Sequence, residues 1–171
     1  SAAIPVSLIG TFIFLVPLGF SMNVLAYDPF VKEATEDLSF VKLTTLDEII
    51  ENADIISIHV PLTDGTRDLI AKDELARMKE GAYIVNTARG GIVNEQDLAD
   101  AVKSGHIAGA AADVATSEPI NADNPLLGVE NIIVTPHMGM YSKEALGAVS
   151  TICASNAAAK LCGGELQFVV K

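Results

Sequence analysis

Apolar residues in this chain gather in short runs separated by stretches with helical spacing. The runs are Met22–Tyr27, Ile55–Val60, Tyr83–Ala88, Ala108–Val114 and Ile132–Thr135. Their strand length and their Val, Ile and Ala content, without strict alternation, are those of strands buried in a parallel sheet. Pro29 and Pro61 close two of them. Thr45 as N-cap with Glu48 three residues on reads as a capping box, and Leu46, Ile49, Ile50 and Ala53 share one face of the helix it opens. A second helix is predicted near Ala71–Lys79, stopped by Gly81. Asn94 caps a third that runs to about Lys103, with Gly105 behind it. Tyr141–Cys162 predicts a long Ala-rich helix ending at Gly163-Gly164, and Leu166–Val170 a short terminal strand. Pro119–Gly128 is the longest irregular connection.

Strand–helix–strand repetition calls for right-handed crossovers and a doubly wound α/β sheet with helices on both faces. A length of 171 residues, half of them apolar, suits a single domain over 1–171 with an ample core. The amino end is atypical. No charged residue precedes Asp28, and Ala2–Phe20 is almost wholly apolar, with Pro5 and Pro17 interrupting it. A buried first strand and helix is the expected reading. A membrane or targeting segment and non-native sequence are the alternatives, and the region has no basic n-region of signal-peptide type.

Charge narrows the partners. A formal net charge of −11 argues against a polyanion such as nucleic acid and against an anionic membrane surface. Cys153 and Cys162 fit neither a disulfide framework nor a metal spacing, so they read as reduced thiols of a cytoplasmic protein. No His, Cys and carboxylate cluster has ligand spacing, and no metal is expected.

Ligands of open parallel sheets bind beyond the carboxyl ends of the strands, and polar residues stand at those places. Arg89 follows one apolar run, and its planar fork suits a carboxylate; a surface ion pair is the alternative. Gly90 and Gly91 behind it allow close backbone approach. His137 follows another run, and an imidazole can take a proton from an alcohol and return it to a ketone. Glu118 is placed to hydrogen-bond the second ring nitrogen, orienting the ring and stabilising the imidazolium. Asp28 ends an early strand, where an acid accepts from adenosine ribose hydroxyls and disfavours a 2′-phosphate, or serves as a turn residue before Pro29. Asp113 suits either a carboxamide or a nearby turn. His59 and His106 read as structural.

The segments VLAYDP, ADIISIHVPLT, MKEGAYIVNTARGGIVNEQDL, SGHIAGAAADV, SEP and NIIVTPHMG, in that order, resemble the nucleotide-binding domain of the D-isomer-specific 2-hydroxyacid dehydrogenases from about Met22 onward. The resemblance implies a Rossmann-like domain that binds NAD and acts on a small 2-hydroxy or 2-keto acid. It places Arg89 on the substrate carboxylate and carbonyl oxygens, His137 as general acid/base and Glu118 as its partner. Asp28 then meets the adenosine ribose and Asp113 the nicotinamide amide. Pro61, Thr63, Thr87, Ala88 and Gly139 match positions lining the cofactor groove. Relatives commonly pair through this domain, which allows a homodimer, although the sequence itself does not fix the oligomeric state.

Two departures qualify the resemblance. Family members carry a G-x-G-x-x-G turn for the pyrophosphate, whereas Ile4–Ser21 holds only Gly10 and Gly19, among bulky Thr11, Phe12 and Phe14. Their separate substrate domain has no counterpart here, leaving the crossing tail Tyr141–Lys171 without its partner. A fragment of weak or absent activity is the resulting expectation for the isolated chain. A non-catalytic nucleotide-binding or corepressor-like module is the alternative.

Overall fold

The structure, a computed structural model, describes residues 23–31 and 40–168. The atypical apolar segment at 1–21 lies outside them. The chain divides into two compact units, Ser1–Ala53 and Asp54–Lys171.

In the first unit, β1 (Val24–Ala26) pairs in parallel with β2 (Val41–Leu43), Val24 lying opposite Val41. β2 has no counterpart among the strands expected from the sequence. Helix α1 (Leu46–Asn52) follows, and the Thr45 hydroxyl accepts from the Glu48 N–H at 3.2 Å. Glu48 spends its own carboxylate differently from the expected box. It accepts from Lys42 Nζ at 2.6 Å and from the Thr44 hydroxyl, tying β2 to the start of α1. The Lys42 contact, then Thr44, hold the Glu48 carboxyl below its ordinary value.

The second unit is built on a four-stranded parallel sheet whose strands follow chain order: β3 (Ile55–Ile58), β4 (Ala82–Asn86), β5 (Ile107–Ala112) and β6 (Ile132–Val134). Ile56 is opposite Ile84, Ile84 opposite Ala110, and Ala110 opposite Ile132. Helix α2 (Lys72–Arg77) lies between β3 and β4, and α3 (Glu95–Lys103) between β4 and β5. Asn94 caps α3 as expected, its side chain accepting from the Asp97 N–H at 3.1 Å. One face of the sheet buries Ile56, Ile58, Ile84 and Ala110. Leu75 of α2 and Leu98 and Val102 of α3 are buried as well. Each fully buried Leu or Ile stabilises the fold by about 1.5–3 kcal/mol. The opposite face leaves Ile55, Tyr83 and Ile133 exposed.

No helix or strand occupies residues 113–131, the connection from β5 to β6, which Leu126 and Val129 anchor in the core. Helix α4 (Lys143–Cys162) begins at Ser142, whose hydroxyl accepts from the Ala145 N–H, and ends at Gly163 with φ 71°. None of its residues is buried. Among the described residues it is the one helix long and apolar enough to cross a membrane by length and composition. The terminal strand expected at Leu166–Val170 does not form over 166–168, and 169–170 lie outside the described residues. Asn156 instead brackets Gln167 through two bonds of 2.8 Å, which draws the chain back onto α4. Cys153 and Cys162 are free and exposed.

Candidate active site

Because β3 to β6 run in parallel, the segments leaving their carboxyl ends share one edge of the second unit. Pro61 and Thr63 follow β3; Thr87, Ala88 and Arg89 follow β4; Asp113 and Glu118 follow β5; His137 and Gly139 follow β6. All these expected site residues therefore come to one edge. Asp28 belongs to the first unit, just beyond β1, where its Oδ1 accepts from the Phe30 N–H at 2.8 Å in a local turn.

Arg89 owes its placement to Asn86, the last residue of β4 and the buried polar side chain of this edge, 5% exposed. Asn86 Oδ1 accepts from the Ala88 N–H at 3.1 Å, and its Nδ2 donates to the Arg89 carbonyl at 2.9 Å. A side chain that satisfies both ends of a tight turn fixes its backbone. The guanidinium, exposed, donates through Nη1 to the Ala88 carbonyl at 2.6 Å. With His59, Pro61 and Leu62 it lines an open depression beyond β3 and β4. His59 meets the Ser57 hydroxyl through Nε2 at 2.8 Å, and burial lowers its pKa, favouring the neutral ring.

Glu118 and His137 meet directly. Glu118 Oε2 lies 2.6 Å from His137 Nδ1, and the two side chains are 39% and 41% exposed. Glu118 Oε1 also accepts from the Ala115 N–H at 3.1 Å. The hydrogen bond to His137 holds the Glu118 carboxyl below its usual range, against a smaller upward push from burial; the Ala115 N–H and the charges of His137 and Arg89 add to the lowering. Arg89 thus acts electrostatically on the acid of the pair. With Nδ1 engaged, Nε2 is the ring nitrogen left to face a ligand. The Glu118–Pro119 peptide bond is cis.

Asp113 is more occupied than the sequence suggests. Its Oδ1 accepts from the Thr135 hydroxyl and from the Met138 N–H at 2.9 Å, and its Oδ2 from the Gly139 N–H at 2.9 Å. Partial burial pushes this carboxyl upward, but those hydrogen bonds and the nearby His137 charge leave it below its ordinary value. His137 sits at the centre of this turn with φ 49°, a left-handed conformation that non-glycine residues adopt at a cost of roughly 1–2 kcal/mol. The Asp113 bonds oppose that cost. A Cβ at Gly139 would lie 3.1 Å from Asp113 Oδ2, so the glycine keeps the turn tight.

Other residues shape the edge without carrying a recognisable motif. Thr66 donates to the Pro61 carbonyl at 2.6 Å and accepts from the Thr63 N–H at 2.8 Å, closing the turn after β3. Gly90 packs backbone against backbone: a Cβ there would lie 2.0 Å from the Ala115 carbonyl carbon. Glu95 reaches across from α3 to Thr116 and Asn124. Asn86 and Gly90 stood inside the VNTARGG string, yet their partners are main-chain groups that no spacing reveals. His106, read as structural, has a shielded Nε2 without a hydrogen-bond partner and precedes the amino end of β5, whereas these turns follow the carboxyl ends of the strands.

The chain is similar to known proteins over most of its length. Residues 4–139 match the family model described as D-isomer specific 2-hydroxyacid dehydrogenase, NAD binding domain. The chain is 45% identical over 135 residues to the D-3-phosphoglycerate dehydrogenase of Archaeoglobus fulgidus, covering 79% of this chain and 26% of that protein. It is 40% identical over 150 residues to the hydroxypyruvate reductase of Blautia hydrogenotrophica, covering 88% and 46% respectively. The crystal structure of D-lactate dehydrogenase with NAD+ from Lactobacillus jensenii superposes with a TM-score of 0.82 at 30% identity, over 95% of this chain and 52% of that one. The chain thus spans between 26% and 46% of the length of these curated relatives.

Proposed function

This chain belongs to the D-isomer specific 2-hydroxyacid dehydrogenase family, and from that premise we propose that it carries the NAD-binding and acid/base portion of an enzyme interconverting a D-2-hydroxy acid and its 2-keto acid. One observation carries the reading: the Glu118–His137 pair at 2.6 Å, at the same edge of the parallel sheet as Arg89. In this reading Arg89 holds the substrate carboxylate through its bidentate fork and polarises the carbonyl oxygen. His137 takes the hydroxyl proton at Nε2 and returns it to the keto oxygen, while Glu118 at Nδ1 keeps the ring oriented and balances the charge it gains. NAD, when bound, supplies the nicotinamide ring that accepts hydride from C2.

The residues present suit that cofactor at its nicotinamide end. A carboxylate offers about four acceptor sites, and the bonds to Thr135, Met138 and Gly139 leave Asp113 able to take an amide N–H. Pro61, Thr63, Thr87, Ala88 and Gly139 leave the strand ends without bulky side chains and would line the groove. Asp28 would take the ribose hydroxyls. The segment that would meet the pyrophosphate lies outside the described residues.

For substrate we favour the phosphoglycerate or glyoxylate and hydroxypyruvate class, on the TARGG string and on the activities for which the relatives above are named. The free, exposed thiols support a reducing, cytoplasmic setting, and the uncovered apolar residues of α4 support pairing of two copies.

Calorimetric titration of the chain with oxamate in the presence of NADH tests the reading. Saturable binding is expected, weakened about 100-fold or more in Arg89→Ala, since charged hydrogen bonds contribute about 1.5–3 kcal/mol each. NADH binding that is indifferent to oxamate and to Arg89→Ala would favour the non-catalytic nucleotide-binding module instead.

A further inference from the structure

We propose that Glu95, outside the acid/base set, is a positioning residue that fixes the Glu118–His137 pair relative to the Arg89 turn. The proposal rests on the dehydrogenase reading of that site, but one arm of its test does not.

Glu118 stands on a connection without helix or strand from 113 to 131. Nothing periodic in that segment sets where its carboxylate stands. Glu95, at the first position of α3, supplies two ties to it from a single carboxylate. Its Oε1 accepts from the Thr116 N–H at 2.6 Å, and its Oε2 from Asn124 Nδ2 at 2.8 Å, across 21 and 29 residues of sequence. Hydrogen bonds to an ionised acceptor are roughly twice as strong as neutral ones. The far tie is itself anchored, because Asn124 Oδ1 accepts from the N–H of Leu126, which is 2% exposed. The near tie adjoins Ala115, whose N–H goes to Glu118 Oε1 at 3.1 Å.

Gly90 closes the arrangement from the other side. A Cβ at that position would stand 2.0 Å from the Ala115 carbonyl carbon and 2.4 Å from the Thr116 nitrogen, so the Arg89 turn lies flat on this stretch. The backbone at Ala115 and Thr116 is therefore pressed on the turn that presents Arg89 and bonded to the carboxylate of Glu95. Moving Glu95 moves the acid of the pair with respect to the guanidinium, although Glu95 touches neither.

The geometry permits a swap of bonding partners. Glu95→Gln sets an amide N–H against a donor, either Thr116 N–H or Asn124 Nδ2. Asn124→Asp sets carboxylate against carboxylate. In the double variant the introduced amide donates to the introduced carboxylate, one oxygen still accepts from the Thr116 N–H, and another still accepts from the Leu126 N–H.

Two readouts on the full chain test the proposal: the 15N shifts of the His137 imidazole without cofactor or substrate, and turnover of hydroxypyruvate with NADH. Each single variant is expected to lose the signature of Nδ1 bonded to Glu118, and to lower kcat between about 10- and 100-fold with a smaller change in the KM for NADH. The double variant is expected to restore both. Folded single variants with an unchanged imidazole signature would overturn the proposal, as would a folded double variant without recovery. Should the single variants unfold, the double variant decides alone: it must fold and carry the wild-type signature. A wild type without turnover matches the weak or absent activity expected of the isolated chain and leaves the imidazole arm to judge the positioning.

Discussion

Ionised carboxylates at this edge hold backbone as well as partners, and that couples local geometry to pH. Glu118 is the clearest case, since its bonds to His137 and the Ala115 N–H lower its pKa from 4.5. A depressed folded-state value means that the ionised form is bound more tightly in the folded chain. The stabilisation is complete above the unfolded value and fades as pH falls through the lowered one. Urea midpoints of the wild type and Glu118→Gln should differ by a constant amount above pH 4.5 and converge below it; a gap that persists in acid would contradict this assignment. The pair was legible in the sequence because a histidine and a glutamate at strand ends carry recognisable chemistry. Asn86, Thr66 and Glu95 were not, since their partners are main-chain groups or lie 21 and 29 residues away.

Elements follow the same division between local and distant causes. Helices α1 and α3 begin where their caps predicted, because Thr45 and Asn94 satisfy N–H groups three residues ahead. Asn94 also donates to Asp68 Oδ1 at 3.2 Å, and its backbone N–H bonds to the Ile70 carbonyl, so this cap joins α3 to the loop after β3. Asn94→Ala should cost about 1 kcal/mol, the usual worth of such a cap, read as a lower urea midpoint with an unchanged m-value; an unaltered midpoint would show that α3 is held by packing alone. Strand positions were legible from apolar runs, but their ends were not. β4 stops at Asn86 because that side chain turns the backbone toward Arg89, and β3 stops at Ile58 ahead of Pro61. β2 escaped notice because Lys42 interrupts its apolar run, leaving Val41 and Leu43 without the continuous signal that marked β1 and β6. The strand anticipated after α4 gives way to an Asn156 clamp on Gln167, again a contact across 11 residues.

At the scale of the molecule, charge is the property that the sequence states outright and that no single contact expresses. Aspartate and glutamate total 22 against 11 lysines and arginines, for a net −11. An excess of that size repels itself in the compact state, and the repulsion reaches as far as the ionic atmosphere allows. The screening length falls from about 30 Å at 0.01 M salt to about 8 Å at 0.15 M, so charges on distant parts of the chain interact only in the dilute buffer. Ion pairs work in the opposite sense, since salt weakens them. Those described, such as Lys42–Glu48 and Lys79–Asp54, are solvent-exposed, and exposed pairs add little net stability. Repulsion should therefore win, and the midpoint of thermal unfolding at pH 7 should rise by a few degrees between 0.01 and 0.15 M sodium chloride, about what 1 kcal/mol achieves in a domain of this size. A midpoint that falls with salt would mean that specific pairs such as Lys42–Glu48 and Lys79–Asp54 outweigh the bulk charge. The comparison should then be repeated in Asp54→Asn, where removing one negative charge lessens the repulsion and removing the pair with Lys79 lessens its salt sensitivity.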